Sequence, residues 1–413
     1  MTVTIQLDRL RQSLLALAQI GATPNGGVSR LALSDADKAG RDLLVTWLKE
    51  AGLTVMIDEM GNIFGRREGK EKGLGPVLIG SHIDSVKEGG KFDGALGVIS
   101  ALEVVRTLND EQVTTRYPVE VVAFTNEEGV RFSPAMLASG VLAGAFSLEY
   151  AYTRTDKEGK QFGEELERIG YRGTLKCAPR DFHAYVEMHV EQGPVLVSEG
   201  YPIGVVEGIL GLSWSRVTIR GERDHAGPTP MVMRHDALVA AAQIVTTVRK
   251  LAQTFGGDMV TTVGSLDVEP NLVNVIPGRV VLTVDIRASE EEKIHQALAR
   301  LKEEAARIAQ AEGVQIEVEN FWHVPPTHFS PEIVATIEQS CQRLGYPYRK
   351  MVGGAGHDAN YLNRVTRTGM IFVPSIGGKS HCEEEETAWE DIEKGANVLY
   401  QTVLALAEAE PGR

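Results

Sequence analysis

The stretch Pro76–Asp110, "PVLIGSHIDSVKEGGKFDGALGVISALEVVRTLND", decides the fold. Its first five residues form a short, nearly continuous apolar run, as in a strand covered on both faces. Its last eighteen read as a helix. A second continuous run follows at Val119–Phe124, "VEVVAF". Strand, helix, strand in this order predicts a mostly parallel sheet of the α/β class. The loop between the first strand and the helix is rich in glycine and carries His82, Asp84 and Asp93.

Working outward, "SDADKAGRDLLVTWLKEAG" (Ser34–Gly52) has an N-cap serine, a periodic apolar face and a terminating glycine, so it predicts a helix. Short strands are expected in "LTVMID" and "NIFGRR", and another in "HAYVEMHV" after a long irregular segment. From residue 212 the pattern changes. "SWSRVTIRG", "HDALVAAAQIVTTVRKLAQTF", "MVTTVGSLDV", "GRVVLTVDIRA", Ser289–Glu312 and "VQIEVEN" give the order βαββαβ, the ferredoxin-like plan. Beyond the paired prolines of "FWHVPPTHF", helix and strand patterns resume. The expected organisation is an α/β catalytic domain in two segments, 1–211 and 330–413, with a ferredoxin-like domain, 212–329, inserted between them.

With 413 residues, 43% hydrophobic and 24% charged, the chain has the composition of a globular protein with a sizeable core. A net charge of −14 and a pI of about 5.3 argue against a nucleic-acid binder, which needs a basic face. Cys177, Cys341 and Cys382 are too few and too scattered for a disulfide framework. The N-terminal leucines Leu7, Leu10, Leu14 and Leu17 fall at helical spacing with charges between them, an amphipathic helix rather than a leader. No stretch approaches the roughly 20 apolar residues that span a bilayer. A cytoplasmic protein with no membrane partner is expected.

In open α/β sheets, ligands gather beyond the carboxyl ends of the strands. His82 and Asp84 follow one predicted strand, and Glu127 and Glu128 follow the next in "TNEEG". His189 closes "AYVEMHV", His381 follows "MIFVPSIGGKS", and Asp93 opens a helix. Each residue taken alone has an ordinary structural explanation. The recurrence at separate strand ends does not, and imidazole with carboxylate suits Zn²⁺ and related ions. Two ions about 3.5–4 Å apart need a bridging carboxylate, for which Asp93 among its glycines is the candidate. Asp84 is placed to orient His82, and the adjacent glutamates suggest one metal ligand and one base. The acidic run Glu383–Glu386 reads as a solvated turn. Arg287 is open between a carboxylate clamp and a salt bridge with a nearby acid.

The segments "GSHIDSV", "GGKFDGALGV", "FTNEEGVRF", "HVEQGPVL", "ERDHAGPTPM", "NVIPGRV", "DIR", "GAGHDA" and "PSIGGKSH" together resemble the amidase and hydantoinase/carbamoylase branch of the dinuclear-metal M20 peptidase superfamily. The resemblance runs in family order from about Gly61 to His381. It implies that His82, Asp93 and His189 hold one divalent ion and Asp93, Glu128 and His381 a second, the ions being Mn²⁺, Co²⁺, Ni²⁺ or Zn²⁺. Glu127 would be the general base and Asp84 the acid that orients the His82 imidazole. Gln192, His225, Asn274, Arg287 and His357 would contact substrate, with His225 supplied by the partner of a homodimer built through the inserted lid domain. The implied reaction is hydrolysis of a linear, non-peptide C–N bond in a small ureido acid: an N-carbamoyl-L-amino acid, or alternatively allantoate or N-carbamoyl-β-alanine. A dipeptidase or aminoacylase fits less well, because His189 stands where those relatives carry glutamate. A metal-binding dimer without turnover is the reading from another class, and it leaves Glu127 without a purpose.

Overall fold

A computed structural model describes residues 3–410, which form two compact units: Gly208–Thr327, and the remainder of the described chain. The first unit is built on a mixed sheet. At its centre Val119–Phe124, Val77–His82, Ala184–Val190 and Thr368–Val373 lie side by side, all parallel. Every residue of these four strands is buried, which is why PVLIG and VEVVAF read as nearly unbroken apolar runs. Antiparallel strands flank this core: Ile63–Arg67 and Thr54–Ile57 on one side, Ile203–Ile209 on the other.

The helix Ala95–Asp110 is buried over most of its length against the central strands. It makes the crossover expected of parallel neighbours. Ser34 caps the helix Asp35–Glu50 by accepting a bond from the Asp37 amide. Leu10, Leu14 and Leu17 of the N-terminal helix Leu7–Ala18 are buried. The strand Tyr348–Gly353, paired with Ile203–Ile209, is absent from the sequence reading, and two further features depart from it. The segment before Ala184, expected to be irregular, contains the short helices Leu137–Leu142, Leu148–Tyr152 and Phe162–Arg168. Ile203–Ile209 is a strand in its own right, separated by only Leu210 from the next strand, Gly211–Arg220.

The second unit has a four-stranded antiparallel sheet in the order Gln315–Val324, Gly211–Arg220, Arg279–Ala288, Val260–Glu269. Numbered along the chain this order is 4-1-3-2, the arrangement of the split βαβ plan. Burial alternates along Arg279–Ala288, so one face packs inward. That face meets helices Ala237–Phe255 and Glu291–Glu312 in a core that includes Val217, Ile244, Leu282 and Leu301. Asp236 starts the first of these helices by accepting from the amides of Leu238 and Val239.

No described helix is long and apolar enough to cross a membrane.

Candidate metal centre

The four parallel strands of the first unit all point their carboxyl ends the same way, so the loops leaving them meet at one edge. His82 is the last residue of Val77–His82 and His189 lies one residue from the end of Ala184–Val190. Glu127 and Glu128 follow Val119–Phe124 after a turn in which Asn126 takes a positive φ of 59°. His381 and Gln192 also sit at positive φ, 55° and 58°. Such backbone is disfavoured for residues other than glycine and persists where surrounding contacts fix it.

Asp93 stands in the middle. Its Oδ1 lies 3.1 Å from His189 Nε2 and 3.5 Å from His82 Nε2. Its Oδ2 lies 3.3 Å from His381 Nε2, and His381 Nε2 is in turn 3.4 Å from Glu128 Oε2. Two ligand groups therefore share one carboxylate: His82, Asp93 and His189, and Asp93, Glu128 and His381. Close approach depends on Gly94, at φ 62°, where an added Cβ would stand 2.3 Å from the His82 ring.

The Nδ1 atoms of His82 and His189 lie 2.9 Å from the carbonyls of Asp84 and Val190. These bonds select the tautomer that leaves Nε2 as a lone-pair donor toward the Asp93 side. Glu128 Oε1 is buried and finds no hydrogen-bond partner among the described residues, and the same is true of Gln192 Oε1 and His357 Nε2. Buried polar atoms are normally paired. An acidic, imidazole-rich pocket with an orphaned carboxylate oxygen is a donor set that fits divalent cations.

Electrostatics point the same way. Burial opposes the charge on Asp93, yet His189, His381 and His82 outweigh it and hold its carboxyl well below the usual range. Burial, reinforced by Asp93, pushes Glu128 up to about 8. The hydrogen bond to Asp93 lifts His381 to about 9. Glu127, buried with Oε2 3.5 Å from His82 Nε2, is raised well above its ordinary value, burial dominating and His82 opposing. Gln192 Nε2 donates to Asp93 Oδ2 at 2.8 Å. The His357 ring lies 4.4 Å from that of His189, and burial depresses its pKa well below the ordinary value.

Asp84 does not face His82 with its side chain as closely as with its backbone: the carboxylate is 3.8 Å from Nδ1. The strand ends at His82, so the alternation that would align the two side chains no longer applies. The Asp84 carboxylate instead accepts from the amides of Glu127 and Glu128 at 3.2 and 3.3 Å, fixing the turn that presents both glutamates.

One residue escaped the sequence reading. Glu385, within the acidic run expected to be a solvated turn, is 1% exposed. Its Oε1 accepts from the amides of Phe92 and Asp93 at 3.2 and 3.0 Å, and its Oε2 accepts from Ser380 Oγ at 2.8 Å. Thus it ties the Asp93 loop to the loop carrying His381. Gly90 makes room for it, since a Cβ there would lie 2.1 Å from Glu385 Oε1. Glu385→Ala is expected to weaken metal retention about 10- to 100-fold, the effect of losing an orienting partner, with Glu385→Gln milder because its amide oxygen still accepts. Elemental analysis after dialysis measures it, and equal metal content in Glu385→Ala and the parent would contradict the assigned role.

In the second unit, His225 pairs with Val275 in a two-stranded ribbon, and the Ala226 amide donates to the Asn274 carbonyl at 3.0 Å, so His225 and Asn274 are neighbours. Both are exposed. Arg287 lies near the far end of Arg279–Ala288 and forms an ion pair with Asp285 at 2.8 Å. The ribbon adjoins the Arg279 end through Gly278, whose carbonyl accepts from the Gly221 amide. Eight residues of antiparallel strand separate Arg279 from Arg287, about 25 Å.

This architecture and ligand set are those of a metallohydrolase family: the chain belongs to peptidase family M20/M25/M40, which matches residues 78–405. Within it the chain groups with the hydantoinase/carbamoylase amidases. The crystal structure of such an amidase from Burkholderia multivorans superposes with a TM-score of 0.97 at 49% identity, covering 98% of this chain and 99% of that one. The N-carbamoyl-L-amino-acid amidohydrolase of Rhizobium meliloti is 46% identical over 98% of this chain and 97% of its own length. The enzyme of that name from Geobacillus stearothermophilus is 42% identical over 98% and 100%. The M20 family is metal-dependent, and the two groups sharing Asp93 are candidate sites for its ions.

Proposed function

We propose that this protein hydrolyses N-carbamoyl-L-amino acids to the free amino acid, carbon dioxide and ammonia, using two divalent ions, Mn²⁺, Co²⁺, Ni²⁺ or Zn²⁺. The observation that carries the reading is the pair of ligand groups joined through Asp93 with the buried carboxylate of Glu127 beside them. Full-length similarity to carbamoylases supports the substrate class.

His82, Asp93 and His189 would hold one ion and Asp93, Glu128 and His381 the other. Bound there, the ions supply Lewis acidity toward the ureido carbonyl and lower the pKa of water. Glu127 takes the proton from the attacking water and returns it to the nitrogen of the breaking C–N bond. Its burial suits the task, because a raised pKa brings a carboxylate closer to the pH at which it must both accept and donate. One water is consumed, and the carbamate released falls apart into carbon dioxide and ammonia. Gln192 keeps Asp93 oriented through its 2.8 Å bond and, with His357, faces the substrate.

Arg287, which also pairs with Asp285, holds the substrate carboxylate together with Asn274, and His225 donates to the developing oxyanion. A small ureido acid cannot reach both ends of a strand about 25 Å long. We therefore assign Arg287 and the His225–Asn274 pair of any one active site to different copies of a homodimer. The second unit offers an edge for such pairing: Val260–Glu269 is the last strand of its sheet and exposes Val260 and Leu266.

Removing metal with a chelator is expected to abolish ammonia release from an N-carbamoyl-L-amino acid, and adding back at least one of Mn²⁺, Co²⁺, Ni²⁺ or Zn²⁺ to restore it. Full activity in protein shown by elemental analysis to be free of metal would contradict the reading.

A further inference from the structure

We propose a further metal site in the second unit, formed by Glu291, His295 and His323 and taking a borderline transition-metal ion such as Zn²⁺ or Ni²⁺. It is independent of the hydrolytic reading and shares no residue with the groups around Asp93.

Glu291 and His295 are four residues apart at the start of the helix Glu291–Glu312, so they share a face. His323 comes from the strand Gln315–Val324, just past a register irregularity between Asn320 and Trp322. Irregularities of this kind re-aim the side chains that follow. Here they bring two imidazoles to one carboxylate: Glu291 Oε1 lies 2.7 Å from His323 Nε2 and 3.5 Å from His295 Nε2. The imidazole rings stand 5.6 Å apart and within 29° of parallel.

A plain ion pair between His323 and Glu291 explains the shorter contact. It does not explain why, with His295 beside it as an i,i+4 neighbour, Glu291 Oε2 is buried with no hydrogen-bond partner among the described residues. An orphaned buried carboxylate oxygen within a His–His–Glu cluster is what a metal-binding site presents when considered from its protein side. Two nitrogens and a carboxylate favour Zn²⁺, Ni²⁺ or Cu²⁺ over Mg²⁺ or Ca²⁺, which prefer oxygen donors. The His295 side chain is 56% exposed, so the ion exchanges with solvent and keeps at least one coordination position open to water or another ligand. Bound there, it joins the start of a helix to an edge strand and stabilises the second unit by mass action.

The experiment is calorimetric titration of the metal-loaded protein with Zn²⁺, using Mg²⁺ as the control. The parent is expected to take up one more Zn²⁺ than the His295→Ala/His323→Ala variant. Glu291→Gln should bind this extra ion at least about 10- to 100-fold more weakly, since losing a ligand costs no less than losing an orienting partner. Ammonia release should be the same in all three. Equal Zn²⁺ stoichiometry and affinity in the parent and both variants would overturn the proposal, as would equally tight binding of Mg²⁺. Because all three residues are partly exposed, the single and double substitutions leave the core intact, and circular dichroism confirms folding before titration.

Discussion

Glu127→Gln is expected to lower kcat by about 10²–10⁴-fold, the usual contribution of a positioned general base, while leaving both ions bound. The substitution keeps shape and hydrogen-bonding reach but removes the ability to accept a proton. Its surroundings make it a clean test. The Glu127 amide is held by the Asp84 carboxylate and its carbonyl accepts from the Met136 amide, so backbone contacts fix the turn whatever the side chain. The proposed ligands His82, Asp93, His189, Glu128 and His381 are untouched. Metal content by elemental analysis should match the parent, and KM should change far less than kcat, because the group acts on the transition state rather than on ground-state binding. Near-normal turnover would remove Glu127 from the reaction. Lost activity accompanied by lost metal would reassign it as a ligand.

A mixture of two inactive variants, His225→Ala and Arg287→Ala, is expected to recover about a quarter of parental activity after subunits exchange, if a two-fold dimer assembles at random. Half of the dimers are then mixed. In each mixed dimer one site combines the intact Arg287 of one copy with the intact His225 of the other, and the second site lacks both. The prediction rests on separation within a single unit: His225 sits on the ribbon adjoining the Arg279 end of a strand, with Asn274 just before the ribbon's second strand, and Arg287 near the other end. Persistent inactivity after proven exchange would place the two residues in the same copy's site or remove one from catalysis. Sedimentation of the parent gives the oligomeric state independently.

What was readable in the sequence follows from where the chain is most constrained. The four central strands are buried on both faces, so PVLIG and VEVVAF are nearly continuous in apolar residues, and the parallel strand order puts the residues at their carboxyl ends at one edge. That made His82, Asp93, Glu128, His189 and His381 visible together. The alternating burial of Arg279–Ala288 and the regular helices beside it made the second unit equally legible.

Direction and burial of individual side chains were harder to read. Asp84 faces the Glu127–Glu128 turn because the chain leaves extended geometry just after His82, which spacing alone does not reveal. Glu385 looks like its neighbours Glu383, Glu384 and Glu386, and only the fold buries it. The available signal was Gly90 in the facing loop, the glycine that leaves room for a carboxylate against the backbone. The short helices between Leu137 and Arg168 lack the length over which periodicity can be recognised.

The account is tested most directly by measuring ammonia release from N-carbamoyl-L- and D-amino acids, N-carbamoyl-β-alanine, allantoate and a dipeptide, with enzyme stripped of metal and reloaded with Mn²⁺, Co²⁺, Ni²⁺ or Zn²⁺, the dipeptide being followed by amino-acid release. The predicted result is metal-dependent turnover of the N-carbamoyl-L-amino acids, far exceeding that of their D-enantiomers and of the other compounds. Preferred turnover of allantoate or N-carbamoyl-β-alanine would contradict the proposed substrate while retaining the site, and no turnover of any of them under any metal would contradict the proposed activity itself.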